Sequence, residues 1–328
     1  MSLKIRKAVI TGPTGAVGVA LIQELIANDI EVTAVCRRGS KRIGSIPKDP
    51  RVRVVECDLD EVWSLPDILG IKPGNAGGGT DPAYDAFYHF AWDGTYGDTR
   101  QDLALQTRNI IYTIDAVHAA KKLGCSVFIG AGSQSEFGHV DGVLHPDMPC
   151  DPDNGYGIAK LAAGRMSRIE CEKLGMRHIW CRIVSLYGPY DGEYTMVMSN
   201  IIKMCRGEAP KCTKGDQVWD YIYSKDAARA FRLVAQSGKD GAVYCFGTGR
   251  TRLLRDYIYA IRDAVKDITG IAVEPEMGAI PYYPNQVMHL EADISDLTAD
   301  TGFIPGYSFE EGIREVIRWY RECVRDTA

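Results

Sequence analysis

In the stretch NGYGIAKLAAGRM, Tyr156 and Lys160 stand four positions apart, a spacing that puts both side chains on one face of a helix. A free phenol titrates at about 10, so it is a poor base at neutral pH unless a neighbouring cation favours the phenolate. Lys160 is the cation at hand. Upstream, GSQSEFGHV over 132–140 presents Ser133, Gln134 and Ser135 in a row, with the nearest carboxylate at Glu136. A serine hydroxyl can hold an oxygen on which charge develops while a tyrosine gives or takes its proton. Such a set could move a proton at an oxygen of a bound molecule. A second pair at the same spacing, Tyr221 and Lys225 in DYIYSKDAA, falls differently. Tyr221 is in a strand-like run and Ser224 reads as the N-cap of the next helix, so the two side chains should diverge.

The stretch VITGPTGAVGVALIQEL has the form of a dinucleotide cradle: a strand, a glycine turn, a helix. Gly12 permits the sharp turn, Gly15 clears the backbone for a pyrophosphate, and Gly18 lets the helix pack against the strand. Thr14, Ala16 and Val17 complete the loop, and the N–H groups that open the helix face the phosphates. A site for NAD places an acid about 20 residues beyond the glycines; CRRGSKR stands there instead. Arg37 and Arg38, with Ser40, Lys41 and Arg42, suit a 2′-phosphate, so NADP is expected, with NAD as the alternative. Asp58 and Leu59 would lie beside the adenine. Phe90, Ala91 and Trp92, at the end of the fourth strand, would pass under the ribose.

These residues must be positioned by alternating elements. Strand-like runs at 7–11, 31–36, 52–57, 86–91, 126–131 and 178–184 alternate with helical patterns that include 15–27, 100–122 and 155–174. The pattern predicts an α/β chain, a doubly wound parallel sheet of Rossmann type, with a smaller mixed α/β C-terminal lobe. The dinucleotide-binding unit is read as 1–185, also receiving 217–248, and the substrate lobe as 186–216 with 249–328. Strands at 217–223 and 242–246 flank a helix at 225–236; further helices are expected at 194–207, 252–268 and 309–325. The glycine-rich stretch 72–85 reads as a surface excursion before a strand.

The chain has 328 residues, a net charge of -5 and a 45% hydrophobic share. Nothing in that balance provides the basic field that nucleic acid requires. No apolar run nears the roughly 20 residues that cross a bilayer, and no signal-peptide core opens the chain, so a cytoplasmic protein is expected. The ten cysteines include no CxxC and share no paired spacing with the six histidines. No metal site and no disulfide framework are expected. His139 and His145 flank the serine-rich loop without an identified partner and are read as solvated.

The loop TGPTGAVG, Ser133, and Tyr156 with Lys160 together resemble the short-chain dehydrogenase/reductases. The length, SLYGPYDG and QVWDYIYSKDAARA are similar to the extended branch, the NAD-dependent epimerase/dehydratase type acting on nucleotide sugars. The resemblance spans nearly the whole chain. It implies that Tyr156 is the general acid/base, that Lys160 holds the nicotinamide ribose and lowers the tyrosine pKa, and that Ser133 hydrogen-bonds the reacting oxygen. It also implies a homodimer through a four-helix bundle built from 100–122 and 155–174. Relatives that dehydrate nucleotide sugars carry Asp-Glu directly after the catalytic Ser/Thr; here Gln134 and Ser135 stand there, which disfavours dehydration. The tract resembles reductases of 4-keto-6-deoxy sugar nucleotides, with 4-epimerisation the alternative, and a small-carbonyl reductase or a dinucleotide sensor further off. Asp93, Ser135 and Ser185 are expected along the sugar. Three departures touch the diphosphate contacts: Trp219 precedes Asp220 where relatives carry Arg, Ser185 replaces a common Asn, and no Arg stands ahead of EADIS, where many relatives carry one and Asn285 and Gln286 lie here.

Overall fold

The computed structural model describes residues 3–71 and 83–325. The chain opens with β1 (Lys7–Thr11), α1 (Ala16–Ala27), β2 (Glu31–Cys36), β3 (Val52–Glu56) and the single turn α2 (Leu65–Ile68). It continues through β4 (Ala86–His89), α3 (Leu103–Lys122), β5 (Val127–Ser133), β6 (Gly142–Leu144), α4 (Gly155–Lys173) and β7 (Arg177–Ile183). Next come β8 (Ser185–Tyr187), α5 (Met196–Cys205), β9 (Val218–Trp219), β10 (Tyr221–Tyr223), α6 (Ser224–Ser237) and β11 (Ala242–Phe246). The chain closes with β12 (Arg252–Leu253), α7 (Leu254–Thr269), β13 (His289–Ala292), α8 (Ser295–Thr301) and α9 (Phe309–Arg325). Most of the predicted 72–85 excursion, residues 72–82, lies outside the described residues.

Seven strands form one parallel sheet in the order β11-β7-β5-β4-β1-β2-β3. The order reverses between β1 and β4, and there the strand ends open a crevice. Because successive side chains on a strand face opposite ways, both faces of this sheet need cover. Ile10, Ile129 and Leu21 pack with Phe231 of α6 on one face; Val9 and Phe128 pack with Val117 and Ala120 of α3 on the other. Apolar runs rather than alternation are the result, as the sequence shows.

The stretch 217–248 divides between two sheets. Its β11 pairs with β7 on the edge of the large sheet, while β9 joins a small sheet ordered β12-β9-β13-β6. Neither β6 nor β13 was expected. β6 comes from the first half of the chain yet pairs with β13, and Asp141 fastens the two by accepting from the N–H groups of Met288 and His289 at 2.6 and 3.1 Å. The predicted strand 217–223 breaks at Asp220. Its buried carboxylate accepts from the backbone of Thr248, Gly249 and Ala292. Ser224 is the first residue of α6 rather than its N-cap. A separate core of Val197, Ile201, Ile258, Ile261, Phe309 and Ile313 holds α5, α7 and α9 together. Among the described residues no helix is long and apolar enough to cross a membrane.

Candidate active site

The glycine turn after β1 meets the end of β4. A Cβ on Gly12, whose φ is +71°, would stand 2.7 Å from the Ala91 nitrogen, and one on Gly18 would stand 2.3 Å from the Gly12 carbonyl oxygen. Glycine at both positions is therefore dictated by close approach. Above Gly15, the residue before α1, a Cβ would meet nothing within 4 Å. The open side of this turn faces a cleft of about 530 Å³, a volume in the range of small-ligand sites. Thr14, Arg37, Asp58, Leu59, Phe90 and Trp92 line it, with Ala91 and Asp93 beside them. Ala16 and Val17, the first residues of α1, turn inward instead: Ala16 is buried, and Val17 packs on the core.

The basic run splits in its use. The Arg38 guanidinium is held by Asp58 at 3.2 Å and Glu61 at 2.5 Å, and its N–H donates to Asp58. Arg37, Ser40 and Arg42 are left along the cleft, where Arg42 also donates to the Tyr190 carbonyl. Open backbone over Gly15, a helix N-terminus and guanidinium groups with no ion pair among the described residues fit a dinucleotide carrying anionic phosphates.

Ser133, Tyr156 and Lys160 converge beside this cleft because two glycines let α4 approach. A Cβ on Gly157 would stand 2.3 Å from the Ser135 carbonyl oxygen, and one on Gly155 would stand 3.0 Å from that of Arg100. Asn154 caps the helix by accepting from the Gly157 N–H at 2.9 Å. The Ser133 hydroxyl accepts from the Ser135 N–H at 3.2 Å and hydrogen-bonds the Tyr156 phenol. Lys160 donates to the Ala131 carbonyl at 2.8 Å, and its ammonium lies 3.7 Å from the Trp92 ring centre. Burial lowers its pKa to about 7, with Glu136 pulling the other way. Burial also raises the Tyr156 phenol, opposed by Arg100 and by the Ser133 hydrogen bond. Beneath, His89 hydrogen-bonds Thr11 at 3.0 Å, and burial, with Lys160, lowers its pKa to about 3, which keeps it neutral.

The remaining expected residues are placed less uniformly. Asp93 exchanges backbone hydrogen bonds with the Asn109 side chain at 3.0 and 2.9 Å, and Gln106 accepts from the Trp92 indole at 2.9 Å, so α3 fixes the β4 end. Ser135 accepts from Arg100 at 2.7 Å. Ser185 accepts from the Trp219 indole at 2.8 Å. Two of the departures from the pattern of relatives are thus in contact: an indole and a small hydroxyl fill a place read as Arg and Asn. Tyr221 packs on Tyr187 and Tyr257 while Lys225 pairs with Glu315, so that second pair does diverge.

Two residues at the site escaped the sequence reading. Arg100, in a turn before α3, places its guanidinium 4.3 Å from the Tyr156 ring centre. Tyr194, from the loop before α5, stacks on Tyr96 with ring centres 3.4 Å apart and faces Tyr156 electrostatically. The signal for Arg100 was its position in the segment leaving the switch-point strand, where ligands bind in such sheets.

A model of the NAD dependent epimerase/dehydratase family matches residues 8–247, close to three quarters of the chain. The chain belongs to that family. It is 22% identical to the dTDP-glucose 4,6-dehydratase of Salmonella typhimurium, over 96% of this chain and 92% of that one. It is 24% identical to CDP-abequose synthase of the same organism, over 94% and 97%. A UDP-glucose 4-epimerase from Thermotoga maritima superposes with a TM-score of 0.81 at 22% identity, covering 97% and 99% of the two chains. As a family member the protein is an enzyme dependent on a nicotinamide dinucleotide, and the cleft beside Gly15 is where that group fits.

Proposed function

We propose that the protein is an NADP-dependent reductase of a nucleotide sugar, acting on a 4-keto-6-deoxy sugar. One observation carries the choice within the family. The place of an acid–base pair after Ser133 is taken by Gln134 and Ser135, and the carboxylate next in the chain, Glu136, is consumed by Arg182, Trp180 and the Ser133 N–H. Without an acid and a base to expel water from the sugar, proton transfer at a single oxygen remains. Similarity to CDP-abequose synthase over nearly the whole chain supports a nucleotide-sugar substrate.

The bound dinucleotide supplies the hydride. In the reducing direction Tyr156 protonates the oxygen as charge develops on it, and Ser133 hydrogen-bonds the same oxygen. Lys160 holds the ribose and Asp93, Ser135 and Ser185 line the sugar. Arg37 and Arg42 take the 2′-phosphate. The large sheet with α1, α3, α4 and α6 forms the dinucleotide unit, and the core of α5, α7 and α9 belongs to the sugar lobe. Leu103 and Ile111 on α3, with Ile158, Met166 and Ile169 on α4, leave a large apolar face exposed, which supports a homodimer through these helices. The cysteines, most of them buried and with no disulfide among the described residues, suit the reducing cytoplasm.

The deciding measurement follows NADPH absorbance, with NADH in parallel, against a panel of 4-keto-6-deoxy nucleotide sugars. Consumption of NADPH in step with substrate loss is expected. Conversion of an unmodified nucleotide hexose without net cofactor consumption would make the protein a 4-epimerase, a reaction the same three residues could serve.

A further inference from the structure

The cation nearest the Tyr156 phenol in the sequence is Lys160, yet the fold puts Lys160 in a place that weakens it for that task. The residue is 4% exposed, and its ammonium is bound to the Ala131 carbonyl and turned over Trp92. It lies 5.8 Å from the Tyr156 ring centre. Burial brings its pKa to about 7, so at neutral pH its charge is only partly present. Arg100 stands in the opposite condition. Its guanidinium covers the Tyr156 ring at 4.3 Å, is anchored to Ser135 at 2.7 Å, and has no ion-pair partner among the described residues. A guanidinium does not lose its proton in the working range of a protein.

Three features hold it there. Gly155 lacks the Cβ that would collide with Leu103 and the Arg100 carbonyl. The Gly155 N–H donates to Gln101 at 3.1 Å, tying the turn to the start of α4. Ser135, small and uncharged, accepts from the guanidinium; a carboxylate at that position would neutralise it. Tyr156 is faced by Arg100 from the turn before α3, by Lys160 from its own helix, by Glu136 from the turn after β5, and by Tyr194 from the loop before α5. Glu136 is already compensated by Arg182, which leaves Arg100 as the permanent charge in the group.

We propose that Arg100 is a second cation of the proton-transfer centre, one that clamps the Tyr156 ring and balances the charge this residue acquires when it gives up its proton. This rests on the reading of Tyr156 as the proton donor. Arg100 acts through Tyr156 and is a positioning residue. The consequence is a division of labour: Lys160 is free to serve the ribose, and the proton donor keeps its charge partner at pH values where Lys160 has lost its own.

The test titrates the phenol directly and needs no substrate. 3,5-Difluorotyrosine, whose phenol ionises well below that of tyrosine, is installed at position 156 of the full chain, and its fluorine resonance is followed against pH. Arg100→Gln is expected to raise the midpoint by about one pH unit, and Arg100→Lys to restore most of the difference. Lys160→Met in the same chain is expected to move the midpoint less. An unchanged midpoint in Arg100→Gln, or a larger rise from Lys160→Met, overturns the proposal. Loss of turnover on every sugar in the panel with the expected titration would instead count against the functional reading alone.

Discussion

Arg182 donates from Nε to Glu136 Oε2 across 2.8 Å, and both side chains are almost wholly shut off from water. The second Glu136 oxygen accepts from the Ser133 N–H at 2.8 Å and the Trp180 indole at 2.9 Å. Trp180 fits because Gly130, Gly132 and Gly164 offer no Cβ to its ring. A carboxylate next to the site is thereby committed to holding the turn that carries Ser133. Glu136→Gln should destabilise the protein by about 3–5 kcal/mol, since it leaves Arg182 buried and uncompensated. Urea denaturation would register the loss, and Arg182→Met added to it should recover most of the stability.

Removing the phenol oxygen tests the proton-transfer role. Tyr156→Phe should lower turnover by about a hundredfold or more and leave the dinucleotide dissociation constant, read by fluorescence titration, unchanged. Turnover retained by this variant would remove Tyr156 from the mechanism.

Lys160 should cost stability, with a definite pH dependence. Its folded pKa of about 7 lies below the unfolded value, so the folded state disfavours the proton. Below about pH 7 both states are protonated and the penalty is complete; it falls as pH rises toward the unfolded pKa of about 10.4. Lys160→Met should therefore raise stability by about 3 kcal/mol near pH 6, and by less than half of that near pH 9.5. Thermal melts at the two pH values would show it.

Arg38 is occupied by Asp58 and Glu61, so under the NADP reading a 2′-phosphate would fall to Arg37 and Arg42. Arg37→Ala with Arg42→Ala should weaken NADPH binding by about tenfold or more and change NADH binding little. Equal losses for the two dinucleotides would favour NAD.

Ile158 is 51% exposed on the outer face of α4. Ile158→Glu should convert a dimer to monomer in light scattering without changing the far-ultraviolet circular dichroism, because a charge there opposes burial against a second copy. A wild-type protein that is already monomeric would rule the interface out.

Local sequence was sufficient for the parts whose geometry is local. The glycine turn is legible because Gly12 takes a positive φ and Gly18 packs against the Gly12 carbonyl six residues away, and Tyr156 with Lys160 because one helix turn sets their spacing. The apolar runs of β1, β4 and β5 likewise announce a sheet covered on both faces. What only the tertiary structure decided involves partners far apart in sequence. Asp58, 20 residues from Arg38, engages that guanidinium in an ion pair. Arg182 turns Glu136 from a candidate base into a structural brace. Trp219 meets Ser185, and β6 crosses to pair with β13. Arg100 reaches Tyr156 only because α4 docks on the turn before α3. Residue type and spacing define which groups can react, while burial and the pairing of charges across the fold decide which of them are free to do so.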